Sequence, residues 1–240
     1  MDLIQEVRRY YHTVAPFLDA ELADRGDEEF WHSYGRGHVL ELGCGSGRVT
    51  RWLVGPDGWV LGIDVCPELL YRARTVRAAL ALADMRRLPL RTSFDTIVAA
   101  DDPFSHLTQD EDRERALAEV ARCLGPGGRF VLDALWFVEP GERQSTREVG
   151  LGSRRVHVTE HWRCDAHTHC CTTEYRYEIG RGEPQRARFE ARYWTPAELR
   201  ERFDSAGMRI TQWWGGYDRR PWDEHSSERL IVEASPVRGR

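Results

Sequence analysis

The stretch Val39–Arg48, VLELGCGSGR, joins an apolar run, a glycine-rich turn and the start of a helix without a break. Glycines at 43, 45 and 47 permit a tight turn and let the backbone approach a ligand closely. The spacing is G-x-G-x-G, which departs from the G-x-G-x-x-G of dinucleotide binders. Glu41, just before the turn, repels a pyrophosphate and suits a ligand that carries an ammonium or sulfonium charge. A second apolar run ends at Asp64, 21 residues after Gly43, where a carboxylate is placed to accept from both hydroxyls of a ribose. Together these residues point to a nucleoside with a cationic arm and away from a nicotinamide cofactor.

Working outward, short apolar runs alternate with helical periodicity, the mark of an α/β domain with a mostly parallel sheet. Strands are expected at 38–42, 59–63, 81–83, 94–100 and 129–135, with helices at 48–53, 68–80 and 110–124. The run Gly125-Pro126-Gly127-Gly128 is expected to stop the last of these helices. Residues 156–162 and 172–179, and a third run ending at Tyr193, then alternate in the β period, which marks an antiparallel insertion over 140–192. Thr195-Pro196 opens a helix that Gly207 closes, and strands at 208–214 and 229–234 end the chain around a polar loop. Leu3, Val7, Tyr10, Tyr11, Val14 and Leu18 stripe an N-terminal amphipathic helix, part of a cap over 1–34. The 240 residues are thus read as one domain.

Composition narrows the chemistry. All 34 basic residues are Arg, and the chain contains neither Lys nor Asn, so a Lys Schiff base, a Walker loop and an Asn-oriented triad are excluded. The net charge of −5 does not favour binding to nucleic acid or an anionic membrane. No apolar run approaches the ~18 residues of a membrane span, and the charged N-terminus lacks the pattern of a secretion signal, so a cytoplasmic protein is expected. The six cysteines are scattered and read as reduced thiols. The run Cys164 to Cys171 has metal-like composition but no second ligand cluster, so it is read as a hairpin turn and no metal is expected.

The chain resembles the class I S-adenosylmethionine-dependent methyltransferases. The resemblance rests on VLELGCGSGR (39–48), GIDVCPELL (62–70), ADMRRLPL (83–90), FDTIVAADDPFSHL (94–107), LGPGGRFVLDAL (124–135) and YWTPAELRERFDSAGM (193–208). It implies a doubly wound, Rossmann-like α/β fold whose seven-stranded sheet has its last strand antiparallel to the rest, with the insertion resembling that of amino-sugar N-methyltransferases. It implies S-adenosylmethionine as cofactor, with Glu41 and Gly43 by the methionine moiety and Cys44, Gly45, Gly47 and Val65 among the cofactor-binding residues. Asp64 falls at the ribose, Asp84 and Met85 at the adenine, and Ala100 with Asp101 toward the sulfonium and its methyl group.

The acceptor side is read from Asp101 to His106, at the carboxyl edge of the fourth strand where open α/β sheets bind ligands. Asp101 and His106 are the catalytic candidates, and Phe104 offers a ring to a cationic amine. The run departs from the acidic/Asn-Pro-Pro-aromatic element of amino-methyltransferases, because Asp102 stands where the middle Pro would be. Tyr10, Tyr11, His161, Tyr175, Arg219 and Trp222 complete the candidate substrate residues, with the insertion as cover over the acceptor. A small-molecule acceptor is expected, amine nitrogen before hydroxyl oxygen. The alternatives are a protein or RNA acceptor, and a cofactor-binding protein without turnover. A dimer through the insertion is compatible with the pattern.

Overall fold

Val39, Leu40 and Leu42 are all excluded from water, as expected of a parallel strand covered on both faces, and they form the middle of strand β1, Gly37–Leu42. The computed structural model describes residues 2–22, 25–136, 139–180 and 182–237. The chain divides into two compact units, Gly26–Trp136 with Trp194–Arg240, and Met1–Arg25 with Phe137–Tyr193. The proposed 1–34 cap is therefore shared between the units, with helix α1 (Leu3–Glu21) in one and the short α2 (Glu28–His32) in the other.

The larger unit contains α3 (Thr50–Leu53), β2 (Gly58–Asp64), α4 (Pro67–Ala73), β3 (Ala79–Leu82), β4 (Phe94–Ala99), a 3₁₀ turn (Pro103–His106), α5 (Asp110–Cys123) and β5 (Leu124–Ala134). After the segment that builds the smaller unit come α6 (Pro196–Ser205), β10 (Met208–Trp214) and β11 (Leu230–Pro236). Its sheet has the order β10-β11-β5-β4-β1-β2-β3. In this sheet β11 runs antiparallel to the other six strands. The chain leaves β1 toward β2 and β3 on one side and returns to β4 on the other, so a crevice forms at the carboxyl edge between β1 and β4.

The helices obey their local signals. Ala116, Leu117, Val120 and Cys123 form the buried stripe of α5, whose first turn carries Asp110, Glu111 and Asp112. Thr195 caps α6 by accepting from the Glu198 N–H at 3.1 Å. The helix expected over 68–80 is corrected: it ends at Ala73, and β3 begins at Ala79. Leu80 is thus a strand residue, paired with Gly62. Its spacing after Val76 imitates a helical stripe, and pairing with β2 overrides it.

The smaller unit is a four-stranded antiparallel sheet in chain order, β6 (Gly141–Leu151), β7 (Arg154–Cys164), β8 (Cys170–Ile179) and β9 (Gln185–Arg192). Strand β6 has no counterpart among the expected strands, because nearly all of its residues are exposed and no apolar alternation announces it. Val14 and Phe17 of α1 pack on Val149, Val156, Val158, Tyr177 and Ala187, with the Phe17 and Tyr177 rings stacked at 4.2 Å.

The expectation of six reduced thiols is corrected at one pair. Cys164 and Cys171 stand directly opposite in the β7–β8 register and are joined by a disulfide. Residue counting does not show that register; the hairpin creates it by letting Asp165 Oδ1 accept from the N–H groups of His167 and Thr168. No described helix is long and apolar enough to cross a membrane.

Candidate functional site

The glycine turn leaves β1 through Gly43, whose φ of +67° suits glycine. A Cβ there would stand 2.6 Å from Pro103 Cβ, so this glycine lets the turn close against the segment after β4. Over Gly45 there is room instead: a Cβ would meet nothing nearer than Leu69 at 4.0 Å. Cys44 is buried, its thiol is pushed up by that burial, and its N–H donates to the Ile63 carbonyl at 2.9 Å. It is a packing residue of the turn. Gly47 lies against Ala73 and Val76, which sets the approach of the β1 turn to α4.

Asp64, the last residue of β2, ties this turn to the next. Its two carboxylate oxygens accept from Gly45 N–H and Cys66 N–H, each at 2.8 Å. Burial raises its pKa, and the backbone donors oppose that rise. Val65 follows, half-buried. Past β3, Asp84 accepts from the Arg86 N–H at 2.9 Å and from its guanidinium, which also reaches Asp112 at 2.9 Å. Burial raises the Asp84 pKa, but the Arg86 contacts outweigh it and the net direction is downward. Met85 sits in the turn that Asp84 begins, closed by Arg87 N–H to the Asp84 carbonyl.

Glu41 is 2% exposed and accepts from Thr50 Oγ at 2.5 Å. Burial pushes its pKa up to about 8, with Arg48 opposing and Asp64 and Asp101 reinforcing the rise. The folded protein therefore retains a proton on Glu41 that the unfolded chain releases above pH about 4. The stability associated with Glu41 is full below pH about 4 and is lost as pH rises to about 8. Glu41→Gln is expected to flatten that decline in thermal melts of the free protein across this range. An unchanged slope would contradict the neutral carboxyl.

After β4 the chain makes an unusual step, with Asp101 and Asp102 both left-handed at φ +55° and +47°. Ala100 is buried at the strand end. Asp101 accepts from Arg48 at 2.8 Å, and the same guanidinium grips both oxygens of Asp27 at 2.8 and 2.9 Å. Asp102 turns inward and accepts from Leu135 N–H at 2.8 Å. Burial raises its pKa to about 7 against the attraction of Arg113.

The step sends the chain into the 3₁₀ turn and corrects one candidate. Phe104 is fully buried among Phe130 and Trp194, so it is a core residue and offers no face to a ligand. His106 remains beside the edge, with burial pushing its pKa down to about 4.

The other acceptor candidates disperse. Arg219 lies over the rings of Phe30 and Tyr34 at 4.8 and 5.5 Å. Trp222 packs on Trp136 and Trp213 at 5.6 and 5.9 Å. In the smaller unit, Tyr10 packs edge-on with Tyr11, lies against Phe189 at 4.8 Å, and faces Tyr175 at 6.4 Å. His161 pairs with Glu142 at 2.6 Å. His161 is opposite Glu174 in the β7–β8 register, whereas Tyr175 is opposite Glu160, so His161 and Tyr175 project from opposite faces of that sheet and do not line one pocket together.

Four residues at the edge were not among the candidates: Asp27, Arg48, Asp133 and Arg229. Asp133, 3% exposed at the end of β5, accepts from Tyr217 Oη at 2.7 Å and from Arg229 at 2.9 Å. A carboxylate inside the apolar run 130–135 is the signal that marks it in the sequence.

The residues fit an S-adenosyl ligand. Two buried carboxyl groups, Glu41 and Asp64, flank a glycine turn with room for a Cβ over Gly45, and Asp101 is near enough to Glu41 for its charge to act there. Residues 39–128 match the methyltransferase domain family. The demethylmenaquinone methyltransferase of Symbiobacterium thermophilum is 31% identical over 146 residues, 53% of this chain and 58% of that protein. The chain thus spans less than two thirds of that relative. The cypemycin N-terminal methyltransferase of a Streptomyces species is 28% identical over 81% of each chain. A probable tRNA methyltransferase of Mus musculus is 32% identical over 46% of this chain and 24% of that protein. Among solved structures, CalS10 with S-adenosylmethionine bound, an amino pentose methyltransferase from Micromonospora echinaspora, superposes with a TM-score of 0.71 at 20% identity over 98% of this chain and 97% of that one. Residues 39–128 thus carry a methyltransferase domain, and the fold built around it is that of solved S-adenosylmethionine-dependent methyltransferases.

Proposed function

We propose that this protein transfers a methyl group from S-adenosylmethionine to the nitrogen of a small-molecule amine. The observation that carries the reading is the convergence of Glu41, the glycine turn at Gly45, Asp64 and Asp101 at one edge of the parallel sheet, at its topological switch. When bound there, S-adenosylmethionine supplies a methyl carbon made electrophilic by positive sulfur, so that an amine lone pair displaces the sulfur without prior loss of a proton. With its proton released to solvent, Glu41 would pair with the ligand's ammonium group, and Asp64 would accept from the ribose hydroxyls. Asp84 and Met85 border the adenine.

On the acceptor side, Asp101 supplies a carboxylate that accepts from an N–H of the neutral amine at the edge. His106, neutral at pH 7, suits the orientation of an amine N–H and not the removal of a strongly held hydroxyl proton. This supports nitrogen before oxygen. Among the relatives and structural neighbours, an N-terminal methyltransferase and an amino pentose methyltransferase support this reading, whereas a demethylmenaquinone methyltransferase and a probable tRNA methyltransferase do not.

The test is incubation of the purified protein with methyl-labelled S-adenosylmethionine and a cell extract, followed by size separation. Label in the low-mass fraction, on nitrogen, is expected. Label in RNA would replace this reading with the one that the tRNA methyltransferase relative favours, and absence of label from every fraction would end it. With the labelled acceptor in hand, His106→Ala is expected to lower turnover about tenfold while S-adenosylhomocysteine affinity stays within about twofold. Equal losses in both would remove His106 from the acceptor side.

A further inference from the structure

Arg48 directly bridges two of the carboxylates around this edge, Asp27 and Asp101. It belongs to the short segment between the glycine turn and α3, and its guanidinium is only 12% exposed. One side of it is closed by Asp27, which is 1% exposed and also accepts from the Trp31 indole N–H at 2.9 Å. The other side meets Asp101 at 2.8 Å. Glu41 is close enough to Arg48, Asp64 and Asp101 to feel the charge of all three, so the group faces the crevice already described. The three side chains Asp27, Arg48 and Asp101 carry a net single negative charge: two carboxylates less one guanidinium.

The two forms of the cofactor differ by one charge at one atom. S-adenosylmethionine has a positive sulfur, and S-adenosylhomocysteine, the product, has a neutral one. We infer that Arg48 sets how strongly this protein distinguishes the two, by offsetting the Asp101 carboxylate that faces the sulfur. The inference rests on the proposed cofactor site and deepens it. Without Arg48, Asp27 and Asp101 would lose the cation that bridges them and hold the sulfonium form too firmly. Without Asp101, the guanidinium would face the sulfur with only Asp27 to balance it. The arrangement grips the charged substrate enough to load the site and leaves the neutral product a weaker ligand. Arg48 is here a specificity-determining residue and takes no part in bond making.

A merely structural salt bridge predicts something different. If Arg48 only fastens three segments together, its loss weakens both ligands in step and leaves their ratio alone. If it sets the field, the ratio moves.

The experiment is calorimetric titration of the full chain, at low ionic strength, with S-adenosylmethionine and S-adenosylhomocysteine. Arg48→Gln is expected to shift the ratio of their dissociation constants by roughly fivefold in favour of the sulfonium form, the size of one unit charge acting across a partly hydrated cleft. Arg48→Lys keeps the charge and is expected to stay within about twofold of wild type. Asp101→Asn is expected to move the ratio roughly fivefold the other way, and it carries the test by itself if Arg48→Gln fails to fold. Added salt should shrink both shifts. A ratio unmoved in Arg48→Gln and Asp101→Asn, or moved as far by Arg48→Lys as by Arg48→Gln, overturns the inference and leaves the cofactor site standing. A wild-type protein that binds neither ligand overturns the cofactor reading itself, and this inference with it.

Discussion

Asp64→Ala is expected to raise the dissociation constant for S-adenosylhomocysteine by roughly a hundredfold or more, measured by titration calorimetry. Two charge-assisted hydrogen bonds to a ribose, each contributing about 1.5–3 kcal/mol, set that scale. The same substitution removes the acceptor for Gly45 N–H and Cys66 N–H, so the variant also loses the tie between the glycine turn and the start of α4. Asp64→Asn separates the two effects. Its amide oxygen still accepts from one of these backbone groups, so the melting temperature should recover more than the affinity does. Affinity within threefold of wild type in Asp64→Ala would remove Asp64 from the ribose.

Arg113→Ala is expected to destabilise the larger unit by about 3 kcal/mol in urea unfolding. The side chain is fully buried, donates to the Leu107 carbonyl at 2.9 Å and lies 3.8 Å from the centre of the Trp194 ring. It also reaches Glu198 at 3.3 Å, which Arg202 holds independently at 3.0 Å, so the substitution does not leave that carboxylate without a cation. The cost comes from the cavity, the exposed aromatic face and the orphaned carbonyl. Arg113 also opposes the rise of the Asp102 pKa, so its removal should push that group above about 7 and leave it protonated at neutral pH. A change below about 1 kcal/mol would show that this packing contributes little.

The cofactor half of the site is written in local sequence. Glu41, the three glycines and Asp64 belong to two strand ends and the turns that follow them, and neighbouring parallel strands necessarily end at the same edge. Local pattern also specifies the caps of α6 and the stripe of α5. Strand β6 was invisible because it buries almost nothing, and the 68–80 helix was overdrawn because residues 76 and 80 keep a helical spacing while one of them pairs in a strand.

The acceptor half depended on contacts between residues far apart in the chain. Phe104 reads as a ring beside an acidic pair, and only the two left-handed residues before it send it into the core. Arg219 and Trp222 read as loop residues at the right edge, and each finds an aromatic partner. Arg48 meets Asp101 across 53 positions, and Asp133 meets Arg229 across 96. The sequence by itself determined the class of fold, the glycine turn and the carboxylates that suit an S-adenosyl ligand, because periodicity and turn chemistry act over a few residues. Only the tertiary structure decided which polar groups share a guanidinium, which rings are buried and which two cysteines meet, because those outcomes depend on packing and pairing between segments that no local pattern encodes.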